Sequence, residues 1–576
     1  MKKHEILENI HINKLIFGGK GLAVAPDGRK IIITGGVIPG SIVNLRILKV
    51  KKGYLEAQLL ETVKKSPLEQ ELPAHYQVYG GCKWLPIAYE EQLKIKAEQV
   101  REAFHYVEKY WDPSKQTPVT EVPESDEEAF DGGTVKQQGI GVSLERKPPV
   151  FHPIVASPEI YGYRNKVEFS WGKYISEKEG IHDTFRFGFH AQAQFDRIID
   201  CDYCVLADDE INAIFKEMNT YSRKSGLPTY DPKTNIGFWR HFVVRKAHFT
   251  NEIMLILSVN HEFAEYSRKF EGDILVFVGH LMEQFPHIAS VYLLQNSGRA
   301  DIVTGEAILM KGKPTITEHL LGKTFEINPK SFFQTNSLGA EKLYTVVMEL
   351  MKIPQKRRDL LEKGEPERTV RNSTESEEAK FGMQKSSVSG ILLDLYAGTG
   401  TIGILLADRF EHVYSVELVT EASKDGAKNA LKNGATNITF INEKTEEFLP
   451  KFLSGNIDRT PEISQKRSNL SEKGAPEGAV RGSTVNEEAE FGAQRTSLSE
   501  VSLIIDPPRD GMHPGALPEI LKFNAKEIIY VSCNPATLAR DLDSILANST
   551  YSVTDIVPVD MFPHTHHIET VVRLEK

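Results

Sequence analysis

Cysteine is scarce: Cys82, Cys201, Cys204 and Cys533 are the four in 576 residues. So few in so long a chain exclude a disulfide framework, and a reducing cytoplasm is the expected compartment. Long apolar runs are missing too. No stretch approaches the roughly 18–20 residues that a bilayer-spanning helix needs. The opening MKKHEILENIHINKL has neither the apolar stretch nor the small-residue cleavage site of a secretory signal. A membrane role is therefore not expected. Hydrophobic residues make up 40% and charged residues 26%, so the chain has enough apolar material for sizeable cores and global disorder is excluded. At roughly 100–200 residues per domain, the length predicts about three to five domains or modules.

Net positive charge is also lacking. The overall value of −10 argues, taken alone, against a nucleic-acid partner. Its distribution argues otherwise, because residues 1–66 carry twelve Lys/Arg against five acids, a net of +7. A basic module on an acidic body can be a footprint for a phosphate backbone. Charge alone is equally consistent with an ordinary basic surface. The same residues contain short apolar runs (KGLAVAPDG, KIIITGG, SIVNLRILKV, YLEAQLLETV) broken by Gly and Pro. Such spacing predicts a small barrel of the OB type, a fold that often binds RNA through charge and stacking.

From about residue 75 to 315 the pattern is mixed α+β. EEQLKIKAEQVREAF predicts a helix, and KVEFSWGKY and FRFGFHAQAQF predict strands. An acidic, Pro/Ser/Gly-rich stretch at 112–147 reads as a loop. Two further stretches resemble each other. The 35 residues from Gln355 and the 35 from Gln465 share 21 identities. Their flanks do not repeat, which excludes a solenoid. Both are charged and poor in large apolar residues, so they read as inserted loops that build no core. With them set aside, ILLDLYAG, HVYSVEL, ITFIN, VSLIIDPP and EIIYVSC alternate with helical segments, the pattern of a doubly wound, mostly parallel sheet. Each insert precedes a strand. It therefore falls opposite the carboxyl edge where such sheets bind ligands.

The sharpest motif is Asp394-Leu-Tyr-Ala-Gly398-Thr-Gly400-Thr-Ile-Gly403, which follows an apolar strand and opens a helix. The glycines let backbone approach a ligand closely. Glu417 ends the next strand, seventeen residues after Gly400, where a carboxylate can hold a ribose diol. Spacing alone fits NAD or S-adenosylmethionine. DLYAGTGTIG resembles the first motif of class I methyltransferases more than a dehydrogenase fingerprint. Asp506, in IIDPPRDG, stands before two prolines that hold it in a rigid, extended turn at a strand's carboxyl edge. Amino-group methyltransferases often carry an aromatic after the two prolines to sandwich a base. Here Arg509 stands in that place and argues against that chemistry.

Cys533, in YVSCNP, follows the next strand. Free thiols are usually buried small hydrophobes, but a strand end beside the donor pocket favours a nucleophile. Carbon 5 of a pyrimidine is too poor a nucleophile to take a methyl group unaided. Thiolate attack at carbon 6 supplies the electron density, and a base must then remove the carbon-5 proton. Glu569, in HTHHIETVV, is the candidate base. The three histidines of that segment invite a metal reading, but their spacing matches no familiar zinc motif, and no metal is expected.

Together SFFQTN, DLYAGTGTIG, IIDPPRDG, VSCNPATLARDL and DMFPHTHHIETV, in this order, resemble the RNA (uracil-C5)-methyltransferase family. YRNKVEFSWG and GFWRHFVVR resemble its central-domain motifs. The resemblance covers most of the chain outside the inserts. It implies an α/β fold, with a C-terminal class I (Rossmann-like) methyltransferase domain over 321–576. Inserts fall at about 355–389 and 465–499. It further implies a central α+β RNA-contacting domain over 67–320 and an N-terminal OB-like TRAM β-barrel over 1–66. It makes Cys533 the nucleophile and Glu569 the base, and places Gln334, Tyr396, Thr401, Glu417 and Asp506 around S-adenosylmethionine. Lys444 falls where relatives usually carry Asp or Asn near the adenine. Many relatives hold a [4Fe-4S] cluster through C-x5-C-x2-C and a distant cysteine. Pro73 and Tyr79 stand at the first two of these positions and only Cys82 and Cys204 remain, so no cluster is expected.

The expected activity is methylation of carbon 5 of one uridine in structured RNA, with the base flipped out of its stack to reach Cys533. The TRAM-like module resembles the bacterial 23S rRNA branch, which makes 23S rRNA the expected partner and tRNA the alternative. A monomer is expected. Three rivals fit less well. Cytosine-C5 enzymes place a cysteine soon after the two prolines, and IIDPPRDGM has none. An inactive assembly factor would not need Cys533 and Glu569. A radical-type TRAM enzyme would need a three-cysteine motif.

Overall fold

The computed structural model describes residues 1–73, 75, 76, 78–115, 146–176, 180–191, 194–260, 264–299, 302–351, 390–455 and 501–576. The N-terminal residues form six strands, the four Gly- and Pro-punctuated runs supplying the last four: β1 (Ile6–His11), β2 (Lys14–Ile16), β3 (Lys20–Val24), β4 (Lys30–Thr34), β5 (Ile42–Val50) and β6 (Tyr54–Lys64). They make one sheet in the order β1-β5-β6-β4-β3-β2, antiparallel except where β4 meets β6. Period-two alternation turns Val43, Leu45 and Ile47 of β5 inward while their neighbours stay wetter. Trp84 and Ile87 complete that core from the following segment.

Helix α1 (Tyr89–Phe104) comes next, then the short strand β7 (Val150–Phe151). A seven-stranded mixed sheet follows. Its strands are β8 (Lys166–Ser176), β9 (Ile181–Ala191), β10 (Gln194–Asp200), β11 (Trp239–Lys246), β12 (Ile253–Val259), β13 (Ile288–Gln295) and β14 (Glu306–Gly312). The order is β10-β9-β8-β11-β12-β13-β14, with helices α2 (Asp209–Lys224) and α3 (Ala264–Gln284) between strands. Phe169, Trp171, Phe187, Phe215, Trp239 and Phe242 pack ring on ring beneath it. Hairpin β15 (Ile316–Leu320) and β16 (Lys323–Ile327), then α4 (Ser337–Leu350), lead into the last unit.

That unit is an eight-stranded sheet in the order β19-β18-β17-β20-β21-β23-β22-β7. Strands β17 (Ile391–Leu395), β18 (His412–Val416), β19 (Ile438–Ile441), β20 (Val501–Ile505) and β21 (Glu527–Ser532) run parallel. Continuous apolar runs suit strands covered on both faces, and β20 and β21 are buried throughout. The connecting helices include α5 (Thr401–Leu406), α6 (Thr420–Lys432), α7 (Thr445–Leu453), α8 (Ala516–Phe523) and α9 (Pro535–Ala547). The order reverses between β17 and β20, so their carboxyl ends open the switch-point crevice. Strands β22 (Ser552–Val559) and β23 (Glu569–Glu575) form an antiparallel pair that docks beside β21.

This sheet also takes in earlier material. β7 pairs with β22, and Val100 and Phe104 of α1 share the core of β20 and β21. Both repeated stretches, at 355–389 and 465–499, lie outside the described residues. So does the acidic stretch at 112–147, except at its ends. No helix among the described residues is long and apolar enough to cross a membrane.

Candidate active site

The glycine loop leaves β17 through three left-handed residues, Tyr396 (φ 59°), Gly398 (φ 56°) and Gly400 (φ 66°). A side chain at Gly400 would put Cβ 2.4 Å from the Phe440 ring, and one at Gly403 would lie 2.6 Å from Ser415 Oγ. Gly398 instead faces open space, with nothing within 4 Å of where Cβ would be. Asp394 is buried beneath the loop and accepts from Gly403 N (3.1 Å) and Ser415 Oγ (3.2 Å). Burial pushes its carboxyl up to about 7. At the end of β18, Glu417 accepts from Gly398 N (2.8 Å) and Val419 N (2.7 Å), one bond to each oxygen. Thr401 is buried, its hydroxyl 3.2 Å from that of Thr399. Lys444 precedes α7 and pairs outward with Glu447 at 3.2 Å. The strand-end polar residue on this side is Asn442. It donates to the carbonyls of Glu417 (2.9 Å) and Leu418 (2.8 Å) and so locks β19 to β18.

Across the crevice, the backbone N–H of Asp506 donates to Leu395 O at 3.3 Å, tying the Pro-Pro turn to the glycine-loop strand. Burial, then the charge on Asp394, pushes its carboxyl up to about 7. Cys533 lies between the end of β21 and the cap of α9. Asn534 fixes this turn: its Oδ1 accepts from Ala536 N (3.1 Å) and its Nδ2 donates to Arg509 O (3.0 Å). Strand register supplies the neighbour. Ser532 of β21 faces Thr570 of β23 in an antiparallel ladder, so the next step of that ladder brings Cys533 against Glu569. Residues 36 apart in sequence thus share one strand end.

Burial, followed by the carboxyls of Glu569 and Asp506, pushes the Cys533 thiol up to about 11; Arg509 opposes this with its charge and a hydrogen bond. Glu569 is 6% exposed. Burial, with the negative charge of Asp506, raises its carboxyl well above the usual carboxylate range, and Arg509 again opposes. Gln334 sits at the crevice rim, its carbonyl taking 2.8 Å donation from Asn165 Nδ2 at the head of β8. Its side chain bonds the hydroxyl of Tyr344, a buried residue of α4 that senses the charges of Asp506, Glu569 and Asp394. The structure therefore gathers Gln334, Tyr396, Thr401, Glu417, Asp506, Cys533 and Glu569 along the carboxyl ends of β17, β18, β20 and β21 and their flanks. Sequence reasoning missed Tyr344, Asp394, Asn165 and Asn442. Of these, Asp394 opens DLYAGTGTIG, Asn165 lies in YRNKVEFSWG and Asn442 ends ITFIN, so three stood in quoted motifs with only their roles unread.

Comparison with known proteins now bears on what this crevice does. An RNA methyltransferase of Caldanaerobacter subterraneus subsp. tengcongensis is 30% identical over 578 residues, covering all of both chains. One of Clostridium acetobutylicum is 31% identical over 579 residues, covering 100% of this chain and 99% of its own. The sequence profile of tRNA (uracil-5-)-methyltransferase matches residues 491–576, the segment holding Cys533 and Glu569. The chain belongs to the RNA (uracil-C5)-methyltransferase family. The fold agrees. The Pyrococcus abyssi tRNA (uracil-54, C5)-methyltransferase, crystallised with S-adenosyl-L-homocysteine, superposes with a TM-score of 0.59. That match is 22% identical and covers 99% of this chain and 100% of that one.

In this uracil-C5-methyltransferase the segment matched above to the C-x5-C-x2-C motif holds a different arrangement. Tyr79 Oη lies 2.6 Å from Cys204 Sγ, the ring stacks on Phe189 at 4.1 Å, and Cys82 Sγ faces Tyr79 O at 3.9 Å. A phenol occupies the second ligand's position. Burial pushes the Cys82 thiol up to about 11 and raises those of Cys201 and Cys204 as well, the reverse of what thiolate ligands require. These residues do not fit a cubane. The three histidines of the HTHHIETVV segment are held neutral by burial. Burial pushes His564 and His566 down to about 4 and His567 to about 3. His564 Nδ1 is engaged by Gln92 Nε2 at 3.0 Å. Among the described residues, no group of three His, Cys, Asp or Glu could hold a metal ion.

Proposed function

We propose that this enzyme methylates carbon 5 of a specific uridine in 23S rRNA, with Cys533 as nucleophile and Glu569 as the base that removes the carbon-5 proton. As an RNA uracil methyltransferase it depends on S-adenosylmethionine. The crevice suits that molecule. Glu417 is steadied by two backbone amides and keeps lone pairs for a ribose diol, and the open space over Gly398 can take its body. Gln334, Tyr396, Thr401 and Asp506 would complete the holding set. When bound, it supplies a methyl group to carbon 5.

The observation that carries the reading is the register that sets Cys533 against Glu569 beside Asp506 and Arg509. Cys533 gives up its proton to solvent and its sulfur bonds to carbon 6. The carbon 5–carbon 6 π pair moves toward carbon 5 and the 4-oxygen, creating the nucleophile. After carbon 5 is methylated, Glu569 takes the carbon-5 proton. The released electron pair restores the double bond and expels Cys533 as thiolate. A carboxyl whose proton affinity is raised by burial suits abstraction from carbon. Arg509 shields the thiolate from the two acids at each end of the cycle.

The N-terminal sheet, with its net charge of +7 over residues 1–66, is read as a TRAM barrel that grips phosphates. That module supports ribosomal RNA. tRNA is the second reading, favoured by the tRNA names of the matching profile and of the Pyrococcus abyssi enzyme. Nucleoside mass spectrometry of ribosomal RNA and tRNA, from cells with and without the gene, separates them. Loss of 5-methyluridine from large-subunit RNA is expected. Loss from tRNA alone refutes the substrate, and full methylation by Cys533→Ala refutes the mechanism.

A further inference from the structure

Helix α1 buries an unusual stripe. Gln92, Lys96 and Gln99 share one face at helical spacing and are 0%, 0% and 4% exposed. A lysine cut off from water is costly unless its charge and protons are met. Lys96 Nζ donates to Asp560 Oδ1 (2.7 Å) and to Phe562 O (3.0 Å), and the same Asp560 oxygen accepts from Phe562 N at 3.0 Å. Gln92 Oε1 accepts from His564 N (2.8 Å), and Trp84 N donates to His564 O (3.0 Å).

Neighbouring elements hold the residues between. Asn336 Nδ2 donates to Met561 O at 2.9 Å, and Tyr163 Oη to Pro563 O at 2.9 Å. Every residue from Asp560 to His564 is therefore gripped from outside β22 and β23. This segment makes the turn between those strands, where Val559 faces Glu569. It contains a left-handed non-glycine residue, His564 at φ 63°, a conformation that persists only where surrounding contacts impose it. At its other end α1 reaches the N-terminal sheet, with Gln99 Nε2 donating to Leu15 O at 3.0 Å.

We propose that Lys96 and Gln92 are positioning residues for proton removal, holding the Asp560–His564 turn in the one path that sets the Glu569 carboxylate against carbon 5. The inference rests on the reading of Glu569 as the base. It gives a purpose to buried polar groups that an apolar face would replace at no loss of stability. Carbon acids demand close placement of the base, and a misplacement of about 1 Å can cost about a hundredfold.

The test uses the full-length enzyme and unmodified RNA substrate, scored for a protein–RNA adduct on a denaturing gel. Lys96→Met combined with Asp560→Asn removes both charges and leaves none buried alone. Gln92→Leu is the second variant, and Glu569→Gln the reference. Both α1 variants should accumulate adduct while turnover falls about tenfold or more and KM for RNA stays within about twofold. A loss of stability alone would lower adduct and turnover together.

Adduct in Glu569→Gln with none in the α1 variants overturns the positioning role alone. No adduct in Glu569→Gln overturns the base assignment, and the inference with it. If thermal melts show both α1 variants unfolded, the contacts serve stability and the positioning role falls.

Discussion

Arg509→Met tests how Cys533 is made reactive. Burial, Glu569 and Asp506 push the thiol up to about 11, and Arg509 is the group opposing them. The substitution removes the charge without loosening the turn. The Arg509 carbonyl is fixed independently, accepting from Asn534 Nδ2 at 3.0 Å and Thr537 Oγ1 at 3.1 Å. Taken at about 5 Å, unit charges attract by roughly 3 kcal/mol at an effective dielectric near 20 and by under about 1 kcal/mol in bulk water. Arg509 is exposed, so solvent screening brings the expectation to about 1.4 kcal/mol, or roughly one pKa unit.

Losing the cation should therefore raise the thiol's midpoint by about one unit and cut the thiolate fraction at neutral pH about tenfold. The thiolate that remains is more basic and about threefold more nucleophilic, so net reactivity toward a disulfide reagent should fall about threefold. A neutral dipyridyl disulfide reads this directly. Cys82, Cys201 and Cys204 are 0%, 2% and 1% exposed, whereas Cys533 is only half-buried. The two pH curves should cross as pH rises through the midpoints, the variant ending on a plateau about threefold higher, and methylation should slow at least threefold at neutral pH. An unmoved midpoint refutes the reasoning, whatever happens to methylation.

Three further outcomes follow from the same geometry. Affinity for S-adenosylmethionine should rise with pH and level off above neutrality. The Asp506 carboxyl, held up to about 7 by burial and Asp394, gains its charge only as pH climbs through that value; calorimetry across the range measures it, and a flat profile counts against the placement of Asp506. Gly403→Ala should destabilise by about 1–3 kcal/mol and raise KM for S-adenosylmethionine, because its Cβ would sit 2.6 Å from Ser415 Oγ and 2.8 Å from Asp394 Oδ2. Wild-type melting and affinity would refute this. Tyr79→Phe should cost about 1 kcal/mol in a thermal melt, through the lost 2.6 Å contact with Cys204, and leave kcat unchanged; a fall in kcat would give that cluster a part in catalysis.

Much of this architecture is legible where the signal is local. Gly and Pro mark β3 to β6 of the N-terminal sheet, EEQLKIKAEQVREAF marks α1, and apolar runs ending at a glycine loop, a Pro-Pro turn and an Asn-Pro turn mark β17, β20 and β21. Asp506 and Cys533 stand out as candidates because each follows an apolar strand in a distinctive motif, and Gln334, Tyr396 and Thr401 are named by the family resemblance alone. What escaped depends on pairings between distant segments. Nothing in VSCNP and HHIETV fixes the register that puts residue 533 against 569, since a slip by one residue would reverse every side chain. Tyr344 reads as one more apolar residue of α4, and its approach to Asp506 exists only once α4 packs over the sheet. Gln92 and Lys96 mislead more actively. Polar residues on an amphipathic helix are expected to face water, yet here they form the buried face.

The electrostatics of the crevice tie these parts together. Asp394, Asp506 and Glu569 are all held toward neutrality by burial, with Asp394 raising Asp506 and Asp506 raising Glu569. Burial, followed by Glu569 and Asp506, keeps the thiol of Cys533 protonated near neutral pH. On the proposed mechanism, both reacting groups then stand in place and neither is in its reactive form. A cationic sulfonium entering such a cavity favours ionised carboxylates and offsets their pressure on the thiol. With its thiol pushed up to about 11, chiefly by burial, Cys533 holds little thiolate near neutral pH.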